Sequence, residues 1–353
     1  MPDGAALSAP APSSAAPSAP APSAPAPSAL ARSPHADDLP AQSHPPGDPW
    51  SIGTLDLDAY LSRVGLADLG ASEGADDVPR GRPPGGHLPG TADDAPRGRP
   101  PGGHLRPSGD TLAALHAAHL AAFPFENLDI MLGRGVKVDL DSIQAKLVGG
   151  RRGGYCFEHG QLLGAVLERL GFGVERLLAR VWRPDIIGPR THLTLRVTAG
   201  DQRWLVDAGF GASPAGPVPL DASGPWEISD WTYDIAPGDH PGTWQLRELQ
   251  AGNWVTLYTV EEACVHPIDI AMSNHFTSTY PDSWFTHVRI AARRDPDAIR
   301  SLLGRTYTVT RPGHVKERRD LTDAEWAKTL ADDFGLTFSA QDHERLAATA
   351  DGI

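Results

Sequence analysis

From Trp50 onward the apolar residues fall into two distinct periodicities. In WSIGTLDLDAYLSRVGL, Leu55, Leu57, Tyr60, Leu61 and Val64 are spaced for one face of a short helix that ends at Gly65. Asp110 can cap a second helix, TLAALHAAHLAAF, whose Leu112, Leu115, His119, Leu120 and Phe123 share a side and which Pro124 blocks. These two helices are expected to pack together. A third starts at Cys156 or Phe157 and runs to Leu170, with Leu162, Leu163, Val166, Leu167 and Leu170 as its apolar positions. Gly171 supplies its left-handed stop.

Beyond Gly173 the period shortens to two. VERLLARVW, THLTLRV, RWLVDAG, TWQLREL and WVTLYTV are rich in β-branched and aromatic residues and are separated by Gly, Pro and Asp turns, the pattern of an antiparallel sheet or barrel. Residues 295–303 and 320–334 return to helical spacing, followed by a short segment from Phe334 and a last amphipathic helix from Gln341. Helices, then strands, then mixed elements predict an α+β chain: a helical part over 49–172, a β part over 173–287 and an α/β part over 288–353.

Two stretches break this pattern. Residues 1–48 are almost wholly Ala, Pro and Ser and offer too little apolar surface to offset the entropy of ordering them, so a disordered, extended tail is expected. From about 67 to 109 runs a flexible insert holding DDVPRGRPPGGHL and DDAPRGRPPGGHL, a tandem duplication with a 17-residue period. Each copy carries PRGRP, which looks like the minor-groove-binding core of the AT-hook. Here, however, the core follows two aspartates and precedes Pro-Gly-Gly, without the basic flanks that engage phosphates. A duplicated loop is the favoured reading, and a module binding DNA or another partner is the alternative.

Charge narrows the field further. Lys plus Arg number 31 and Asp plus Glu 44 in 353 residues, a formal balance of −13, which disfavours a general coat for nucleic acid. The two cysteines, Cys156 and Cys264, exclude a disulfide framework and fit a reducing compartment. No apolar run reaches membrane-spanning length and no secretory start is visible, so a cytoplasmic protein is expected.

The chemistry concentrates in RRGGYCFEHG, residues 151–160. Two glycines deliver Cys156 to the start of the third helix, where free N–H groups and the helix dipole favour an anion. A cysteine before a helix is also commonly inert, so its partners decide the matter. His192 opens an alternating strand and shares a face with Thr194 and Arg196. If Gly200 and Asp201 form the following turn, Ala199 faces Gln202, and Asp207 comes opposite Thr194, diagonal to His192 on the same face. A carboxylate there would orient the imidazole and leave its other nitrogen for a thiol. A surface ion pair is the alternative reading of the same spacing.

Taken together, PFENLD (124–129), RRGGYCFE (151–158), THLTLRV (191–197), LVDAGFG (205–211) and STYPDSWF (278–285) resemble the arylamine N-acetyltransferase family in order and spacing, from about Trp50 to the end apart from the insert. The resemblance implies a helical domain, a β-barrel and an α/β lid, with a core related to papain-like cysteine proteases. It also implies a Cys156, His192, Asp207 triad that takes acetyl from acetyl-CoA and passes it to an arylamine, arylhydrazine or arylhydroxylamine by a ping-pong route, with no metal. Phe125, Thr191, Phe210 and Phe285 match acceptor-pocket positions, and Gly209 and Gly211 match positions that approach the thioester or CoA. Glu126 and Arg152 are expected to form a structural ion pair. An amide synthase that closes a carrier-bound polyketide on an aromatic amine would use the same triad. The family usually has Asn where this chain has Gly160, and His159 is a rival base that lacks an evident carboxylate partner other than Glu158.

Overall fold

Capping side chains open the first two helices. In the computed structural model, which describes residues 48–67, 106–184, 186–314 and 316–349, Asp56 accepts the Ala59 N–H at 2.9 Å and starts α1 (Leu57–Arg63). Ser108 accepts the Thr111 N–H at 3.1 Å and starts α2 (Gly109–Ala122). Asp110, the expected cap, lies instead in the first turn, where its carboxylate faces the positive end of the helix dipole. The Ala/Pro/Ser tail through residue 47 and residues 68–105 of the insert, with both PRGRP cores, lie outside the described residues.

The chain then passes through β1 (Phe125–Glu126), α3 (Leu128–Met131), α4 (Leu140–Ile143) and a π-helical turn, Gln144–Gly149, to α5 (Cys156–Arg169). Tyr60 and Leu61 of α1, Leu112 and Leu115 of α2, and Leu162 and Val166 of α5 share one core, so the first two helices pack together as expected. Helix α5 is more deeply placed than an amphipathic reading implies: every residue from Cys156 to Leu167 is buried. It ends where Gly171 takes a φ of +87°.

Eight antiparallel strands follow: β2 (Gly173–Val181), β3 (His192–Ala199), β4 (Gln202–Val206), β5 (Val218–Pro219), β6 (Trp226–Ile228), β7 (Trp231–Pro237), β8 (Thr243–Gln250) and β9 (Asn253–Glu261). Their spatial order is β5-β4-β3-β2-β9-β8-β7-β6. The sheet curls far enough that a Cβ on Gly216, just before one edge strand, would lie 3.0 Å from Ile228 of the other, which leaves the barrel nearly closed. Tyr233, Leu246, Tyr258 and Val260 fill its interior. Strands β5, β6 and β7 carry no sequence expectation; the first two are only two and three residues long, too short for a periodicity.

Helix α6 (Pro267–Thr279) then leads to a second sheet of β10 (Ile290–Arg294), β11 (Ile299–Leu303), β12 (Thr306–Thr310) and β13 (Glu317–Asp320), with β1 as its other edge. Residues 295–303, expected to be helical, form a turn and β11. Leu302 faces the core built by α7 (Asp323–Phe334) and α8 (Ala340–Ala348), whereas Ile299 and Leu303 line a cavity on the opposite face. Burial on both faces of one strand imitates helical spacing. The two C-terminal helices form where the sequence predicts them, and the whole is the α+β architecture that the order of elements implies.

Candidate active site

The loop before α5 is shaped by close backbone contact. A Cβ on Gly153 would stand 2.1 Å from the Pro124 carbonyl oxygen, so only glycine allows this approach. Gly154 N–H donates to Pro124 O at 3.2 Å and Glu126 N–H to Gly154 O at 2.7 Å, tying the loop to the PFEN segment. Tyr155 N–H donates to the Glu158 carboxylate at 3.0 Å, and Cys156 follows as the first residue of α5. Its side chain is buried, with the thiol donating to the Thr191 carbonyl at 3.5 Å.

His192 arrives from the β3–β4 hairpin. Gly200 turns with a φ of +63°, Ala199 pairs with Gln202 and Leu195 with Val206, the register read from the sequence. Asp207, one step past β4, therefore shares a face with His192. His192 Nε2 donates to Asp207 Oδ2 at 2.6 Å, and both residues are only 2 % exposed. Asp207 Oδ1 accepts the Gly209 N–H at 3.0 Å. Nδ1 is the ring nitrogen that Asp207 leaves free, and Cys156 and His192 line the same cavity. Burial alone would lower the His192 pKa. The Asp207 charge and hydrogen bond, reinforced by Cys156, outweigh that and raise it to about 10. For Asp207, burial is likewise overcome by His192, and its carboxyl titrates below the usual range. The rings of Phe210 and Tyr258 pack at 5.1 and 4.8 Å from the imidazole centroid and hold its plane.

A cavity of about 970 Å³ opens onto Cys156 and His192. Phe125, Thr191, Phe210 and Phe285, the expected pocket residues, all line it, as do Gly209 and Gly211. Phe125 and Phe285 face each other at 6.2 Å and 57°. Gly209 has a second duty: a Cβ there would lie 2.8 Å from Cys156 Cα and 3.2 Å from His159 Cβ, so it seats the strand end against α5. Trp284, Ile290 and Ile299 also form the wall. Trp284 belongs to the STYPDSWF motif, whereas Ile290 and Ile299 carry no sequence signal beyond apolarity, because their role follows from how the second sheet docks.

Both ring nitrogens of His159, the rival base, are engaged away from the cavity. Its Nε2 points to the carbonyls of Gly154 and Pro124 at 3.1 and 3.3 Å, and burial holds its pKa near 4, so the ring is neutral. The Glu126–Arg152 pair forms at 2.6 Å. It belongs to a larger cluster that sequence reasoning missed: Lys146 Nζ lies 2.9 Å from Glu158 and 3.1 Å from Asp129, which Arg152 also reaches at 3.3 Å. Burial raises the Glu158 carboxyl to about 7 despite Lys146. Among the described residues no cluster of three or more His, Cys, Asp or Glu side chains is arranged to hold a metal ion, and no helix is long and apolar enough to cross a membrane.

Comparison with known proteins places this geometry. An N-acetyltransferase family profile matches residues 109–343. The chain is 38 % identical over 293 residues to the arylamine N-acetyltransferase of Mycolicibacterium smegmatis, covering 80 % of this chain and 92 % of the relative. The crystal structure of the Nocardia farcinica arylamine N-acetyltransferase superposes with a TM-score of 0.71 at 34 % identity, covering 85 % of this chain and 95 % of the other. The Mycobacterium marinum enzyme, solved in complex with CoA, superposes with a TM-score of 0.68 at 29 % identity, covering 84 % and 100 %. The chain belongs to the arylamine N-acetyltransferase family and is an enzyme of the transferase class.

Proposed function

We propose that the protein moves an acetyl group from acetyl-CoA to an arylamine, arylhydrazine or arylhydroxylamine in two displacements through a thioester on Cys156. The observation that supports this reading is the imidazole of His192, held at 2.6 Å by Asp207 and lining the same cavity as Cys156. A raised imidazole pKa keeps the proton on His192, leaving the sulfur as the nucleophile.

In the first displacement the Cys156 sulfur attacks the acetyl carbonyl, the carbonyl's bond to the CoA sulfur breaks, and His192 gives its proton to the departing thiolate. In the second, the amine nitrogen attacks the thioester, its proton passes to neutral His192, and the Cys156 thiolate leaves, restoring the starting pair. The N–H groups of Cys156 and Phe157 open the first turn of α5 and are the candidate donors to the oxyanion. The aromatic wall of Phe125, Phe210 and Phe285 supplies faces for a flat acceptor. Support for the donor comes from the M. marinum relative, which was solved in complex with CoA.

Steady-state kinetics test the scheme. Initial rates at several fixed acetyl-CoA concentrations should give parallel double-reciprocal lines against amine, with half-exchange of labelled CoA in the absence of amine. Intersecting lines without exchange would point to a ternary complex and remove the thioester step.

A further inference from the structure

Three histidines that the proposed chemistry does not use are fully buried around it. His116 and His119 stand one turn apart on α2, and His159 lies on α5, all with no exposed surface. Tyr60 of α1, equally buried, completes the group.

Their hydrogen bonds admit one arrangement of protons. Backbone carbonyls only accept, so His159 Nε2 carries the hydrogen it directs to Gly154 O and Pro124 O, at 3.1 and 3.3 Å. In a neutral ring Nδ1 is then an acceptor, and it accepts from His119 Nε2 at 2.9 Å. His119 Nδ1 must accept in turn, and the Tyr60 hydroxyl donates to it at 3.0 Å. One turn earlier on α2, His116 Nε2 donates to the Asp207 carbonyl at 3.1 Å, and its Nδ1 is buried without a partner. Charging His159 would set a second N–H against that of His119, and charging His116 would place a proton on a nitrogen with no partner. Consistently, burial lowers the pKa of His116 and His159 to about 4 and that of His119 well below the usual value.

The carbonyls at the ends of these bonds matter. Gly154 is two residues before Cys156, and Asp207 is the carboxylate partner of His192. We infer that α2 is the positioning element of the triad, with His116 holding the backbone of Asp207 while Tyr60, His119 and His159 hold the loop that presents Cys156. One helix thus sets the distance between the nucleophile and the base–acid pair, which arrive on elements far apart in sequence. This inference rests on the proposed roles of Cys156, His192 and Asp207. Misplacement of a reacting group by about 1 Å costs up to about 100-fold in rate, so loss of a positioning bond should appear in the chemical step.

The test is the pre-steady-state burst of CoA released from acetyl-CoA without amine, read together with the pH profile of Cys156 alkylation. Leucine at 116 or 159 removes the hydrogen bonds; glutamine can offer an N–H to the same carbonyls. His116→Leu and His159→Leu should each slow the burst about ten-fold or more, with the acetyl-CoA KM within about two-fold and the alkylation profile displaced, and His116→Gln and His159→Gln should restore both. Leucine variants with a wild-type burst and alkylation profile, or with losses matching only their unfolded fraction and no rescue by glutamine, would overturn the inference. Should the leucine variants not fold, Tyr60→Phe, which deletes one oxygen, decides: a burst slowed at constant KM supports the relay and an unchanged burst overturns it. Wild-type protein that releases no CoA would count against the thioester instead, so the two failures are distinguishable.

Discussion

A Cβ atom on Gly160 would lie 2.7 Å from Leu193 Cδ2, inside any permitted carbon contact. Gly160 lies one turn after Cys156 on α5, and the strand residue next to His192 fills the room a side chain would need. The pair is thus a tight contact between α5 and β3: glycine on the helix, leucine on the strand.

Gly160→Ala should therefore destabilise the wild-type protein by about 1–2 kcal/mol through overpacking, although alanine is the better helix former by about 1 kcal/mol. In a Leu193→Ala background the same change should stabilise. A double-mutant cycle by chemical denaturation measures the sign reversal; additive effects would contradict the coupling.

The His192–Asp207 bond predicts a particular pH dependence. Its folded-state pKa, about 10, stands above the ordinary histidine value of 6.5. The stability it contributes is therefore complete below about pH 6.5 and lost as pH rises toward 10. Asp207→Asn should cost most stability near pH 6 and progressively less toward pH 10, and should slow acetylation of Cys156 by about 10³-fold. A stability difference that grows with pH would reverse the sign and refute the pairing.

Lys146 serves three carboxylates, Glu126, Asp129 and Glu158, two of them almost wholly buried. Arg152 still serves Glu126 and Asp129, so Lys146→Met strands the Glu158 charge and should destabilise by about 3 kcal/mol at pH 8. The loss should shrink toward pH 5, because Glu158, at about 7, can then take up a proton. Urea denaturation at the two pH values checks both; a loss below about 0.5 kcal/mol at pH 8 would show that the cluster is not coupled.

Phe285 packs against Phe125 in the cavity wall. Phe285→Ala should raise the KM for an aromatic acceptor about five-fold, equivalent to about 1 kcal/mol of ring contact, while leaving CoA release in the first displacement nearly unchanged. Equal effects on both half-reactions would place Phe285 in general packing instead.

How much of this was legible in the sequence differs by element. The His192–Asp207 juxtaposition was, because a Gly-Asp turn sets the register of a hairpin and register alone decides which side chains share a face. The start of α5 was, because two glycines precede it. Strand β11 was not: Leu302 and Ile299 are buried on opposite faces, and such a strand has no period of two. Helix α6 was missed because Ile268, Met272 and Phe276 sit on its exposed side among polar residues, so its apolar positions do not mark a core. The Lys146 cluster and the His119–His159 bond join residues 12 or more apart through backbone turns that no local pattern encodes.

The central claim is that the sulfur of Cys156 carries the acyl group. Intact-mass spectrometry of the protein mixed with acetyl-CoA alone, followed by peptide mapping, measures this most directly. A gain of one acetyl unit on the peptide containing Cys156, discharged by an arylamine and absent in Cys156→Ala, is the expected result. An unmodified Cys156 in protein that still acetylates the amine would contradict it.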